Sequence, residues 1–395
     1  MKSDAKKKVA MVDPSLFTWP YDKALVDGLR AEGHDVLLYT KCLAAKEEGK
    51  GVPWVRELFY PGFQTDFVKS LPKSLFLALK GIAHFFSQIA LYRRLRRDRP
   101  DIIHFQWLPL PVIDRMFVPL FRRLAPVVMT VHDSAPFNNN PTSKLQSMRS
   151  SEIMKDFDRL IVHTERSREA MVRHGLTLAS ITRIEHGLLG SATIGEVAPL
   201  ALRPVENPVN VLLFGYLKPY KGADLLVEAL AQMSEPSRSA TRLRIVGKPL
   251  MDPEPLQARA KALGVDRLIT WDLRFVGDEE IAGMFGESDI MAMPYREIDA
   301  SGVLMVALAI GRPIVATRIG LFAELLEDGK HGYLVPPEAP AALAEALTRL
   351  VENPPMRIRM GHDVRELGHS IPAWDTIART TDQLYTQLIA NRAGA

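Results

Sequence analysis

Two segments in the second half of the chain place lysine, serine and glycine where a strand passes into a helix. In the first, VLLFGYLKPYKGADLLVEAL, Lys218 and Lys221 stand between a strand-like run and a helix-like run. Free backbone N–H groups and the positive end of the helix dipole favour an anion at such a junction, and a lysine adds a mobile charge. The segment predicts a diphosphate site, although lysines that only solvate a surface loop would give the same pattern.

The second segment, MAMPYREIDASGVLMVALAIGRPIVAT, reads as a strand, a polar loop, Ser-Gly and an apolar helix. Gly302 has no Cβ to block an approach to the first-turn amides, and Ser301 can cap the helix or donate its hydroxyl to a phosphate. Asp299 would repel a phosphate, so we expect it to cap backbone or to meet sugar hydroxyls. Ser-Gly at a helix start is also common for purely structural reasons.

Alternating strand-like and helix-like runs place both segments in an α/β chain of βαβ units. The predicted strands are residues 9–13, 34–40, 101–107, 126–133 and 158–164, then 209–215, 243–247, 268–276, 289–295 and 312–317. We therefore expect two doubly wound Rossmann-like domains facing across a cleft, with ligands at the carboxyl ends of the strands. The predicted domains are 1–203 and 204–375, and a C-terminal helix at about 376–395 packs back on the first.

The amino-acid composition of the chain narrows the kinds of partner and site that it can have. The chain has 395 residues, of which 47% are hydrophobic and 24% charged, enough material for two globular domains. A net charge of +4 is mild for this length and predicts no nucleic-acid partner. One cysteine excludes a cysteine-rich metal site. Without a signal-like N-terminus or an uninterrupted apolar run of membrane length, a cytoplasmic location is expected.

The segments FGYLKPYKG, MPYREIDASGVLMVALAIGRPIVAT and GLFAELLEDGKHGYLVPP follow one another in a specific order. In this they resemble the nucleotide-binding domain of the family 4 retaining glycosyltransferases, which have the GT-B fold, and the resemblance runs from about residue 8 to the C-terminal helix. It implies an enzyme that moves a sugar from a UDP- or GDP-sugar to a saccharide or lipid-linked acceptor with retention of configuration. The implied setting is cell-surface polysaccharide biosynthesis.

The resemblance also implies roles for individual residues. Lys221 matches the lysine on the donor diphosphate, and Gly215 matches the glycine of the same loop. Ser301, Gly302 and Val303 match the junction whose amides hold phosphate and sugar. His132, at the end of a predicted strand, matches a histidine beside the donor sugar, although a lone histidine is more often structural.

The chain departs from the family pattern at two places. Many members carry two glutamates seven residues apart, and Ile298 and Val306 stand at those positions here. Glu297 is one residue from the first position and is expected to substitute for it, whereas nothing evident replaces the second, which meets the ribose. Tyr216 stands where an arginine is frequent, so we expect Lys218 to supply that charge.

Retaining transfer in this family implies departure of the diphosphate and attack of the acceptor on the same face of the sugar, without a protein nucleophile. Catalysis would then rest on positioning and on neutralising the diphosphate with Lys221, Lys218 and helix-start amides. No cofactor and no metal are expected for that work.

The acceptor side is predicted from residues that follow strands of the first half. These candidates are Thr18, Trp19, Tyr21, Gln106, Trp107 and Asp133. Aromatic rings there can stack on a sugar, although a core role for Trp107 explains the residue equally well.

Residues 69–99 form a basic, apolar segment in which eight lysines and arginines are opposed only by Asp98. A basic amphipathic helix can rest on an anionic membrane, which would suit a lipid-linked acceptor and a peripheral position on the inner face. A helix packed on the sheet with a solvated basic end is the alternative.

Two other functions remain open at this point. Some subgroups of the family resemble this chain in carrying PYKG and SGVL without the glutamate pair, so a non-catalytic relative that binds a sugar nucleotide or a partner enzyme is the minority alternative. A sugar-nucleotide epimerase of the same fold is a third, weaker one. A dehydrogenase is disfavoured because the first turn, DPSLFTWP, lacks the glycine fingerprint of a dinucleotide site.

Overall fold

The computed structural model describes residues 6–65, 68, 70–132, 150–189, 197–201, 207–298 and 301–394. The chain divides into two units, Met1–Glu185 with Ala373–Ala395, and His186–Pro372. The division falls earlier than the predicted boundary at 203/204. Leu188, Leu189 and Val197 pack against a core of the second unit, so the segment that carries them belongs there.

Unit 1 is an α/β domain. Its described elements are β1 (Lys8–Asp13), α1 (Trp19–Ala31), β2 (Asp35–Lys41), β3 (Val55–Phe59), α2 (Lys73–Asp98), β4 (Ile102–Phe105), α3 (Pro111–Leu124), β5 (Val127–Val131), α4 (Ser150–Met154), β6 (Arg159–Val162), α5 (Glu165–Arg173), β7 (Ile181–Arg183) and the C-terminal α14 (Trp374–Ala393). Over the described ranges, the strands form a seven-stranded parallel sheet in the order β3-β2-β1-β4-β5-β6-β7.

Helices cover both faces of this sheet. On one face α1 packs with α14, and Leu25, Leu29 and Tyr385 lie in the shared core. The hydroxyl of Tyr385 also lies 2.6 Å from Nδ1 of His104 in β4, so α14 is tied to the sheet by a buried polar contact. On the other face α2 and α3 bury Leu91, Leu95, Phe117 and Phe121.

Unit 2 is also an α/β domain with a parallel sheet. Its described elements are β8 (Val209–Phe214), a 3₁₀ turn (Pro219–Lys221), α6 (Ala223–Gln232), α7 (Glu235–Ser239), β9 (Thr241–Val246), α8 (Glu254–Ala262), β10 (Ile269–Asp272), α9 (Asp278–Gly286), β11 (Ile290–Met293), α10 (Gly302–Ile310), β12 (Ile314–Thr317), α11 (Gly320–Leu325), β13 (Gly332–Val335), α12 (Pro340–Glu352) and α13 (Pro354–Ser370). In the part of the unit that is described, six parallel strands follow the order β10-β9-β8-β11-β12-β13.

The strands that the sequence did not predict are β3, β7 and β13. All three lie at sheet edges, and in β3 the buried Val55 and Phe59 are separated by three residues that are not buried, so its apolar run is broken. The strand β13 lies inside GLFAELLEDGKHGYLVPP, a segment that was used only for its resemblance to the family. Short edge strands carry a weak hydrophobic signal because they have one neighbour and one solvated side.

The helix α2 meets the length and composition of a membrane span over Ser74–Asp98, which the sequence had not predicted. In the structure it packs on the sheet of unit 1 instead. His84 and Gln88, two of the polar residues that interrupt the apolar run, are buried against α3, where His84 Nε2 lies 2.6 Å from Asp114 Oδ1 and Gln88 donates to the same oxygen. These side chains thus join two helices.

Candidate functional site

In unit 2 the strand order reverses between β8 and β11, and the loops after these two strands lie side by side at the carboxyl edge of the sheet, where ligands of such folds bind. Three residues predicted for the donor site meet there. A Cβ built on Gly215, which ends the strand with φ +111°, would lie 3.1 Å from Lys221 Nζ and 3.5 Å from Val303 Cγ2. A side chain at 215 would therefore obstruct both residues.

Lys221 closes the 3₁₀ turn and is 6% exposed. Its Nζ donates to the hydroxyl of Tyr295 at 2.6 Å and lies 4.2 Å from the centroid of that ring. Burial, followed by the like charge of Lys218, lowers the pKa of Lys221 to about 7. Because an anion beside the ammonium would favour its charged form, this lysine is suited to respond to a phosphate.

The turn that holds Lys221 needs glycine at its end. Gly222 has φ +68°, and a Cβ there would lie 1.9 Å from the carbonyl oxygen of Pro294. The backbone N–H of Arg296 also donates to Tyr220 O at 2.7 Å. The loop after β8 and the loop after β11 are thus in direct backbone contact.

Arg296 adds an ionic link from the loop after β11 to the first turn of α6, and the sequence analysis did not single it out. Its guanidinium donates to both carboxylate oxygens of Asp224 at 2.8 and 2.7 Å, and to Glu338 and Pro219 O. The available signal was an arginine placed two residues after the proline that follows an apolar strand. We assign Arg296 the role of holding the Lys221 turn in place.

Ser301, Gly302 and Val303 begin α10 as predicted. Of the two roles considered for Ser301, the structure shows the cap: its Oγ accepts the N–H of Leu304 at 3.2 Å, and the residue is 4% exposed. A Cβ on Gly302 would lie 3.0 Å from Leu189 Cδ1, so this glycine gives room to a leucine of the same unit. Asp299 lies outside the described residues.

The positions that depart from the family pattern differ in environment. Glu297 is exposed, Ile298 packs against the apolar core, and Val306 is 6% exposed within that core. Val306 therefore serves packing. Nearby, Tyr216 is 38% exposed, and Lys218 Nζ lies 5.8 Å from the ring centroid of Tyr220.

In unit 1, polar side chains follow three neighbouring strands: Gln106 after β4, His132 after β5 and His163 after β6. His132 Nε2 lies 3.1 Å from Gln106 Oε1, and His132 Nδ1 lies 3.4 Å from His163 Nε2. The sequence analysis named the first two and missed His163. The signal was present, because DRLIVHT, like TVHDS, places a histidine directly after an apolar strand.

The loop from β1 to α1 is organised by two buried carboxyl groups. Thr18 Oγ1 lies 3.3 Å from Asp13 Oδ2 and from both oxygens of Asp22, and Asp13 also accepts the N–H of Ser15 and of Leu16. Burial and the neighbouring Asp13 raise the pKa of Asp22 well above its ordinary value. Thr18 is therefore held as part of the loop framework.

The aromatic acceptor candidates separate into core and surface. Trp19 does not line the acceptor side as predicted: it is 6% exposed and stacks on Trp54 at 5.5 Å, because the first turn of α1 faces the core. Trp107 is partly exposed and lies 5.4 Å from Phe17, which is 51% exposed. In the described part of unit 1, this pair forms an accessible aromatic surface at the carboxyl edge. Asp133 lies outside the described residues.

Comparison with known proteins identifies both units. Residues 23–188 match the family model "Glycosyltransferase Family 4", and residues 208–353 match "Glycosyl transferases group 1". D-inositol 3-phosphate glycosyltransferase of Streptomyces scabiei is 27% identical over 299 residues, covering 72% of this chain. The chain spans 65% of that relative's length. The protein of the same name from Kineococcus radiotolerans is 26% identical over 407 residues, covering 94% of this chain and 91% of that one.

The fold is shared with solved structures. Alr3699/HepE of Anabaena, crystallised in complex with UDP-glucose, superposes with a TM-score of 0.74 at 19% identity, covering 97% of this chain and 100% of that one. Two parallel doubly wound sheets, each matched by its own glycosyltransferase model, are the architecture of GT-B enzymes. The chain belongs to the family 4 glycosyltransferases of the GT-B fold.

Proposed function

We propose that this protein transfers a sugar, with retention of configuration, from a UDP- or GDP-sugar to a saccharide or lipid-linked acceptor in cell-surface polysaccharide biosynthesis. The observation that carries the proposal is the convergence of Gly215, Lys221 and Val303 at the strand reversal of unit 2. The UDP-glucose bound by the structural relative from Anabaena supports a nucleotide-sugar donor.

In this proposal Lys221 gains its full charge when the diphosphate arrives and neutralises the leaving group, assisted by Lys218 and the amides at the start of α10. Such preorganised charge is often a major contribution to catalysis. Glu297, exposed on the loop after β11, contacts the sugar, and His132 acts at the reacting centre as the family resemblance implies. No metal is assigned a role.

A non-catalytic sugar-nucleotide or partner-binding protein is the second candidate, favoured by Val306 in the core at the position of the second family glutamate. Thermal unfolding with UDP, GDP and their sugars, followed by assays of transfer and donor hydrolysis, separates the two. A ligand at a hundred times its Kd stabilises the native state by about 2.7 kcal/mol. Binding without transfer to any acceptor or hydrolysis of any donor would favour the second candidate.

We further propose a peripheral membrane contact through α2. One stripe of this helix exposes large apolar side chains: Leu75 (46%), Leu79 (37%), Ile82 (56%) and Phe86 (62%). Continuing the same helical spacing, Arg93 and Arg97 are exposed on the next turns. Apolar side chains for the acyl boundary and arginines for anionic headgroups favour a lipid surface over a protein partner.

Vesicle sedimentation tests this contact. We expect wild-type protein to bind two kinds of vesicle, neutral ones of phosphatidylcholine and anionic ones that also contain phosphatidylglycerol. The double variant Ile82→Ser with Phe86→Ser should lose binding to both, because each buried side chain contributes about 1.5–3 kcal/mol. Arg93→Ala with Arg97→Ala should weaken binding only to the anionic vesicles. Phe275→Ser, which changes a 53% exposed side chain of unit 2, is the matched control. Equal sedimentation of all variants would remove the membrane proposal.

A further inference from the structure

The ammonium group of Lys221 has one hydrogen-bond acceptor among the described residues, the hydroxyl of Tyr295, which lies 2.6 Å from Nζ. An ammonium carries three N–H donors, so two of them remain for another partner. Nζ also lies beside Gly215, since a Cβ at that position would be 3.1 Å from it and glycine carries no such atom. The two remaining donors can therefore serve a ligand that lies beside Gly215.

Tyr295 is itself held firmly by its surroundings. It is 1% exposed, and its ring centroid lies 5.3 Å from that of Phe322 and 6.0 Å from that of Tyr220. Burial, followed by Tyr220, raises the pKa of Tyr295, and hydrogen bonding with Ser301 opposes that rise. A neutral, immobile phenol thus stands between the turn that carries Lys221 and the residue that caps α10.

We propose that Tyr295 is a positioning residue whose hydroxyl accepts one N–H of Lys221 and leaves the other two directed to the donor diphosphate. The inference rests on the proposed function in placing the diphosphate at Lys221, and it adds the residue that orients this lysine. A phenol suits the task because it is an uncharged acceptor. A carboxylate in its place would neutralise the ammonium and repel the phosphate.

The same hydrogen bond favours the charged form of Lys221, whose pKa burial and then Lys218 lower to about 7. The hydroxyl of Tyr295 opposes that lowering, because it accepts a hydrogen bond from the ammonium. Its removal should therefore lower the pKa of Lys221 further. The charged and titratable groups on the described elements around this lysine are Lys218, Tyr220, Tyr295, and Arg296 with its partners Asp224 and Glu338.

Tyr295→Phe tests the proposal, because it removes the hydroxyl and keeps the packed ring. We expect kcat to fall roughly tenfold to a hundredfold, the range for loss of one hydrogen bond to a charged group. Tyr333→Phe is the matched control: it removes a hydroxyl that donates to Met356 Sδ at 3.2 Å, and it should keep the wild-type kcat. Thermal unfolding checks both variants. A Tyr295→Phe protein that does not fold would assign the hydroxyl to stability and overturn the inference.

A double-mutant cycle separates positioning from packing. In the Lys221→Met background, Tyr295→Phe should lower kcat no further, because the hydroxyl acts only through the lysine. Equal losses of kcat in the two backgrounds would show that the tyrosine acts independently of Lys221, which overturns the inference.

Carbon NMR of lysine-labelled full-length protein follows the titration of Lys221 without ligand or activity, with its signal assigned by Lys221→Met. We expect the midpoint to be about one pH unit lower in Tyr295→Phe than in wild type, and unchanged in Tyr333→Phe. Equal midpoints in wild type and Tyr295→Phe would overturn the inference. If the midpoint moves but wild type turns over no donor, the proposed function fails and the hold of Tyr295 on Lys221 is supported.

Discussion

Lys221→Met is expected to lower donor turnover by roughly two to three orders of magnitude while leaving the fold intact. Removing the ammonium beside a departing diphosphate should lower kcat roughly a hundredfold to a thousandfold, the range for loss of a preorganised electrostatic group. The fold should persist because methionine fills the space of a side chain that is 6% exposed without the cost of a buried charge. Transfer assays, UDP titration and thermal unfolding measure the three effects.

Lys261→Met is the control, because it makes the same substitution at an exposed position of α8. Its kinetics should equal those of wild type. Unchanged kinetics in Lys221→Met would contradict the diphosphate assignment, whereas loss of folding in that variant would show that the lysine is needed for the structure itself.

The pKa of Lys221 is lowered to about 7, so the diphosphate assignment also predicts that UDP affinity depends on pH. A bound diphosphate raises this pKa, so binding takes up a proton once the free lysine is neutral, and UDP affinity should fall as the pH rises above about 7. Lys221→Arg stays charged throughout and should flatten the dependence. The ligand's own titration is common to both proteins, so their difference reports the lysine. If UDP affinity changes with pH in the same way in wild type and in Lys221→Arg, Lys221 does not take up the proton on binding.

Gly222→Ala is expected to destabilise the protein by about 3 kcal/mol or more and to remove nucleotide binding. An alanine there must adopt a left-handed backbone, and its Cβ would lie 1.9 Å from Pro294 O. Gly264→Ala is the matched control, since Gly264 has φ +71° with nothing within 4 Å of its Cβ. The control should cost only the backbone strain, about 1–2 kcal/mol. Equal urea midpoints for the two variants would show that the two loops are not locked together at Pro294.

The sequence predicted much of the fold because both sheets are buried on two faces. Parallel strands such as β5 and β11 are nearly continuous apolar runs, and their carboxyl ends mark candidate site residues such as His132. Lys221 and Ser301 were found in the same way, by their place between a strand and a helix. The structure adds that Tyr295 holds the lysine, which is a tertiary contact with no local pattern.

Other features could not be read locally. Trp19 follows a strand as Trp107 does, and only the turn at which α1 begins decides that the first is core. The pairing of His163 with His132 depends on the register of two strands that are far apart in sequence. The ionic contacts of Arg296 with Asp224 and Glu338 likewise join segments separated by tens of residues.

The packing of α14 on α1 imposes an order on biosynthesis. During translation the whole of unit 2 leaves the ribosome before α14 does, so α1 lacks the helix that packs closely on it at Gly28 until Trp374 and Ala378 arrive. In that state the nascent chain exposes an apolar surface that promotes aggregation. Stalled synthesis near residue 372 would therefore yield a folded second half attached to an aggregation-prone first half, a natural substrate for chaperones.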